Sequence, residues 1–259
     1  MNKPGRTTTS GSAVGVLIGL LLTLCLGTAG VAASPTNAVL HVGNFSQGEP
    51  GKDFPQGWKP LTFKKIEIHT DYRLVEDQGR IVVKATSNAS SSGLTREIKI
   101  DPKKYPIVQW SWKVEQLPQH GDVTKKSGDD YAARLYITFE YDPNLVGLLD
   151  KAKYEAVRLL YGQYPPFGAI NYIWESKTPQ GTIVPNPYTS QVKMIVLETG
   201  TVRLNEWVEE KRNIYEDFKR AFGGQEPPII SGVAIMTDTD NTGEKAIAYY
   251  GDIFFHKAP

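Results

Sequence analysis

Cysteine is almost missing. The only one, Cys25, lies in the first segment, so residues 34–259 contain none. That part has no disulfide, no thiol nucleophile and no thiolate metal site, and its stability must rest on a core. Histidine is scarce: His41, His69, His120 and His256 are scattered, and no His-Glu-x-x-His occurs. A histidine metal cluster would therefore need distant convergence. The chain also lacks a Gly-x-Ser-x-Gly elbow and a phosphate-binding glycine loop, which removes two common enzyme templates. An excess of charge is missing as well, with 29 Lys and Arg against 28 Asp and Glu. Such a balance gives no electrostatic case for nucleic acid or an anionic membrane. After the first 33 residues, no apolar run is long enough to span a bilayer.

What is present begins with an export pattern. Lys3 and Arg6 precede the apolar run Ala13–Leu26, and Val31-Ala32-Ala33 offers small residues before Ser34. Charge, apolar core and small residues in this order predict a signal peptide over 1–33, placing the rest in the periplasm or the medium. An uncleaved anchor is the rival, because 13–33 just reaches the length of a span. The short apolar core and the small residues favour cleavage. Loss of Lys3 and Arg6 leaves 27 basic against 28 acidic residues.

Period-two alternation dominates residues 34–259 and predicts one mainly β domain. The expected strands are 38–45, 64–69, 80–86, 94–100, 107–114, 130–141, 170–174, 191–199, 229–237 and 246–256. In 130–141, Tyr131, Ala133, Leu135, Ile137 and Phe139 face one way, and Asp130, Ala132, Arg134, Tyr136 and Thr138 the other. Helical spacing predicts two helices, over 144–161 and 205–222, the second stopped by Gly223-Gly224. Residues 162–188, rich in Pro, Gly and aromatics, read as an elaborated loop within an insertion 144–188. The predicted architecture is an antiparallel β-sandwich of jelly-roll, galactose-binding-like type with two helical insertions.

Five segments carry a resemblance. They are Gly128-Asp129-Asp130-Tyr131-Ala132-Ala133-Arg134, Asn171-Tyr172-Ile173-Trp174, Arg212-Asn213 with Asp217-Phe218, Met236-Thr237-Asp238-Thr239-Asp240-Asn241-Thr242-Gly243, and Ala248-Tyr249-Tyr250-Gly251-Asp252. Together they resemble a bacterial exported family known only as domain of unknown function 3047, which implies a location and little chemistry. A looser resemblance to jelly-roll carbohydrate-binding modules rests on Asn44-Phe45, Gly57-Trp58, the turn Ser90–Gly93 and Asp252-Ile253-Phe254. Fold analogy does not establish a function.

Three constellations carry chemistry, each with a bland counterpart. Asp130 and Arg134 share a strand face, and an Arg fork can hold a carboxylate or donate to sugar hydroxyls. A structural ion pair is the favoured alternative. Asp238, Asp240, Asn241, Thr242 and Gly243 have the oxygen spacing of part of a Ca²⁺ loop, but Tyr249 stands where that loop needs Glu. A hairpin turn using the same residues is favoured. Trp110, Trp112, Tyr136, Tyr161, Tyr164, Phe167, Tyr172, Trp174 and Tyr188 crowd the central strands. Sugar rings stack on aromatic planes, yet Trp110 and Trp112 read as core, while for Trp174 core and stacking roles stand level.

The leading expectation is a protein binding a glycan or small polar ligand through Asp130, Arg134, Asn171 and Trp174, with Asp238 and Asp240 as a Ca²⁺ or rim site. Arg134 would donate, Trp174 would stack, and Asp130 and Asn171 would orient hydroxyls. A hydrolase or lyase using Asp130 or Asp238, with catalytic residues otherwise unknown, is the second reading. A non-catalytic envelope partner docking through the aromatic insertion is the third.

Overall fold

Residues 133–139 show how alternation builds the molecule. Ala133, Leu135, Ile137 and Phe139 are sealed in the main core, while Arg134, Tyr136 and Thr138 turn the other way. The structure, a computed structural model, describes residues 39–162 and 164–258. The expected signal peptide 1–33 lies outside the described residues.

In chain order the strands are β1 (Val39–Gly43), β2 (Trp58–Leu61), β3 (Asp71–Asp77), β4 (Arg80–Asn88), β5 (Ser91–Ile100), β6 (Ile107–Gln116), β7 (Ala133–Phe139), β8 (Gly168–Glu175), β9 (Ile183–Asn186), β10 (Thr189–Thr199), β11 (Val208–Asn213), β12 (Ile230–Asp238) and β13 (Lys245–His256). The helices are α1 (Leu148–Tyr161) and α2 (Ile214–Ala221). One sheet runs β11-β6-β13-β4-β3, with β1 also paired to β13. The other runs β2-β5-β12-β7-β8-β10-β9. The two sheets stack as a β-sandwich.

The core lies between the sheets. Trp110 and Trp112 on β6 meet Tyr172 and Trp174 on β8, at ring separations of 5.2 Å for Trp110–Tyr172 and 6.2 Å for Trp112–Trp174. Phe218 of α2 closes one end against Phe139, 4.6 Å between ring centres. Burying an aromatic or aliphatic side chain of this size contributes about 1.5–3 kcal/mol. A core with no cysteine can therefore hold the domain.

Several expectations change. No strand forms at 64–69; β3 forms instead at Asp71–Asp77, where only Leu74 is fully buried. Its hairpin with β4 turns on Gln78 and Gly79, at φ 51° and 77°. Two residues with positive φ make the turn that fits strand twist, so the turn sets the pairing although β3 is polar. Residues 208–213 were expected to be helical but form β11, hydrogen-bonded along the edge of β6. The helix starts only at Ile214, where the Asn213 side chain accepts from the Glu216 N–H at 3.1 Å, a normal N-cap. The other helix starts at Leu148, not at 144.

The segment 162–188 is not merely a loop. It supplies β8, seated between β7 and β10 in the middle of the seven-stranded sheet, and β9 at its edge. The sandwich is antiparallel except for β8 and β10, which pair in parallel.

Candidate functional site

The face of the seven-stranded sheet turned away from the core carries Arg134, Tyr136, Asn171 and Asp238. The register places Tyr136 directly opposite Asn171 and Met236 opposite Arg134. Residues directly opposite in such a pair share a face.

Arg134 is the hub. Its side chain is 1% exposed, with Nε donating to Asp238 Oδ1 at 2.7 Å and Nη2 donating to Asp238 Oδ2. Nη2 also donates to the Asp129 carbonyl, and Nη1 to Tyr136 Oη at 3.1 Å and Asp129 Oδ1 at 3.5 Å. The guanidinium lies 4.1 Å from the centre of the Tyr131 ring. A guanidinium has five N–H groups, and each finds a protein partner. Despite its burial, Arg134 is held firmly protonated by Asp238 and its neighbours. Burial pushes the Asp238 carboxyl up, with Arg134 opposing the rise. The Tyr136 hydroxyl is pushed up to about 12, again chiefly by burial.

The acidic residues gather around this hub. Carboxylate oxygens of Asp130, Asp238 and Asp240 lie within 4.8 Å of one another. Most are committed to the fold. Asp130 Oδ1 accepts from the Asn241 N–H at 3.2 Å and Oδ2 from the Thr242 N–H at 2.6 Å. Asp238 also accepts from the Tyr131 N–H at 3.3 Å. Asp240 is raised by burial and by Asp130. Ca²⁺ takes about 6–8 oxygens. With Asp238 gripped by Arg134 and Asp130 bracing a turn, the cluster keeps few lone pairs free, and the turn reading of 238–243 accounts for its residues.

Of the four expected ligand contacts, the structure brings Asp130, Arg134 and Asn171 toward one face and sends Trp174 to the other. Trp174 is 0% exposed, packs on Trp112, and donates its indole N–H to the Gly200 carbonyl at 3.1 Å. Its expected stacking role is withdrawn: a ring sealed in the core presents no plane to a ligand. Arg134 has no N–H left to donate, which withdraws its role as well. Asp130 is 0% exposed and holds a turn. Neither Asp130 nor Asp238, which is 2% exposed, opens to solvent as an acid or base would need.

Asn171 differs. It is 0% exposed, yet among the described residues neither its amide nitrogen nor its amide oxygen has a hydrogen-bond partner. Its neighbours on the shared face are Tyr136 on β7, half-buried, and Met194 on β10. An unsatisfied buried amide costs about 1–3 kcal/mol, so such a group calls for an absent partner.

The rim comes from residues that alternation does not single out. Asn186 donates its Nδ2 to both Asp129 oxygens at 3.0 Å and lies 3.7 Å from Met194 Sδ. It sits in Pro185-Asn186-Pro187, where prolines hide any periodic signal. Tyr188 is 55% exposed and donates its hydroxyl to Asn241 Oδ1 at 2.7 Å. Tyr136 follows from the same period as Arg134, and strand parity alone could have joined it to Asn171. Of the remaining aromatics in the insertion, Phe167 and Tyr172 are core, whereas Tyr164 is partly exposed.

No curated protein matches this chain in sequence. Among solved structures it is similar to a carbohydrate-binding module specific for non-crystalline cellulose, at 12% identity and TM-score 0.34, covering 78% of this chain and 88% of that one. It is also similar to a family 12 xyloglucanase from Bacillus licheniformis, at 7% identity and TM-score 0.42, covering 83% and 97%. A third is the Emp47p carbohydrate recognition domain, at 12% identity and TM-score 0.41, covering 88% and 100%. Likenesses this distant carry no argument about ligand or reaction. The sequence family is firmer: its model matches residues 56–254, and the chain belongs to the family described as protein of unknown function, DUF3047.

Proposed function

We propose that this is an exported cell-envelope protein, of the periplasm or the medium, that binds a hydroxyl-rich ligand such as a glycan. The ligand sits on the outer face of the seven-stranded sheet, above Asn171 and beside Tyr136. The observation that carries this reading is the Asn171 amide, a donor and an acceptor side by side with no protein partner. A sugar hydroxyl donates and accepts at once and suits such a pair. Entry requires Tyr136 to shift, and its half-buried ring stands at the solvent boundary. The Arg134–Asp238 hub then serves as scaffold, holding β7 and β12 together beneath the ligand.

Isothermal titration with solubilised peptidoglycan fragments and a panel of β-linked oligosaccharides tests the reading. Saturable binding that weakens about tenfold or more in Asn171→Leu supports it, since a lost pair of hydrogen bonds is worth at least that much. Binding of equal strength in Asn171→Leu, or no binding to any member of the panel, removes it.

A further inference from the structure

β13 changes partner part-way along its length. Through Tyr250 it pairs with β4, as Tyr250↔Val83. From Ile253 onward it pairs with β1, as Ile253↔Gly43. On its other edge the register with β6 slips between Tyr250 and Ile253, so Gly251 and Asp252 bulge. A bulge breaks the ladder and re-aims side chains. Here it turns Asp252 onto Ser46, whose N–H and hydroxyl it accepts at 2.8 and 2.5 Å. Where β4 stops and β1 begins, the outer face of the six-stranded sheet is left with a notch of about 190 Å³.

The notch is lined by Arg80, Gln109, Ser111, Glu209, Gly251 and Phe254. Gly251 keeps the floor low: a Cβ there would lie 2.2 Å from Ser111 Oγ. Arg80 is held in place by its guanidinium over the Trp207 ring, 4.4 Å from the centre. Among the described residues, the side chains of Arg80, Gln109, Ser111 and Glu209 form no hydrogen bond or ion pair within the protein. They leave donors on Arg80, Gln109 and Ser111, and acceptors on Gln109 and Glu209, facing one small space. Arg80 faces two carboxylates in the lining, Glu209 and the Asp252 held by Ser46, so the notch does not select an anion. Phe254 adds an apolar plane at one side.

We propose that this notch is a second binding site, for a single neutral sugar ring. Pockets for drug-sized ligands run to about 300–1,000 Å³, so this one holds a single ring and not an extended chain. Alternating donors and acceptors suit ring hydroxyls, and the Phe254 face suits ring C–H groups. The site lies on the sheet opposite Asn171 and does not rest on the reading of that residue.

Backbone amide NMR titration of the intact protein with methyl glucoside, methyl galactoside, methyl mannoside and N-acetylglucosamine tests it. The expected result is saturable shifts at residues 80–82, 109–111 and 251–254 with at least one of the four. Gln109→Ala and Glu209→Gln, both on the outer face, are expected to melt like the parent and to weaken those shifts about tenfold. Asn171→Leu is expected to leave them unchanged. The proposal is overturned by no saturable shift with any of the four, by shifts confined to 134–138 and 169–173, or by unchanged affinity in both notch variants.

Discussion

Asn171 and Trp174 stand three residues apart on β8 and face opposite sides of it. Asn171 lies opposite Tyr136 on the outer face, and Trp174 packs on Trp112 between the sheets. Side chains alternate along a strand with period two, so an odd separation divides the pair between the outer face and the core. The amide lies on the face proposed for the ligand, while the indole holds the two sheets together.

Trp174 should therefore act on stability alone. Trp174→Ala is expected to cost about 3–5 kcal/mol, the range for a large aromatic removed from a packed core. Urea denaturation measures this. Trp174→Phe, which keeps most of the volume, should bind any identified ligand as the parent does.

The Arg134–Asp238 pair should behave as a buried ion pair. Arg134→Met leaves the Asp238 charge buried beside Asp129 and Asp130, and about 3–5 kcal/mol of stability should be lost. Combining it with Asp238→Leu removes the stranded charge and should recover a substantial part. A double-mutant cycle by thermal or urea denaturation reads the coupling. Additive losses would show that the pair does not act as a unit.

Glu210 predicts a pH dependence. It stands opposite Trp110 in the β11–β6 register with its Oε1 unpartnered. Burial, then Glu198, pushes its carboxyl up from 4.5 to about 7. The folded chain thus keeps a proton that the unfolded chain releases, and stability falls as pH rises through that window. Glu210→Gln removes this loss. Its advantage over the parent should grow between pH 4.5 and 7, by at most about 1.4 kcal/mol per pH unit, and level off above. Melting temperatures of both proteins across pH 4 to 9 would show it.

Much of the fold is legible because half-buried strands announce themselves. The run through Leu135, Ile137 and Phe139 carries its burial in its spacing, and so do Trp110 and Trp112. β3 is hidden because a polar edge strand owes its place to the Gln78-Gly79 turn and not to a buried face. β11 is hidden because Trp207, Ile214 and Phe218 also fit a helical stripe, and only pairing with β6 decides otherwise. At the site, the sequence brings Asp130, Arg134, Asp238 and Asp240 into view as chemistry-bearing residues, and they do cluster. It does not show that their atoms are already used, because partners such as the Tyr131 N–H for Asp238 and the Thr242 N–H for Asp130 are backbone groups from distant segments.

Ligand binding on the outer face depends on the Asn171 amide. Asn171→Leu, followed by urea denaturation and by oligosaccharide titration, asks this directly. Replacing an unsatisfied buried amide with an apolar group of similar size should leave stability unchanged or raise it, by up to about 1–3 kcal/mol, while binding is lost. A variant that is destabilised by that amount, or that binds as tightly as the parent, would contradict the account.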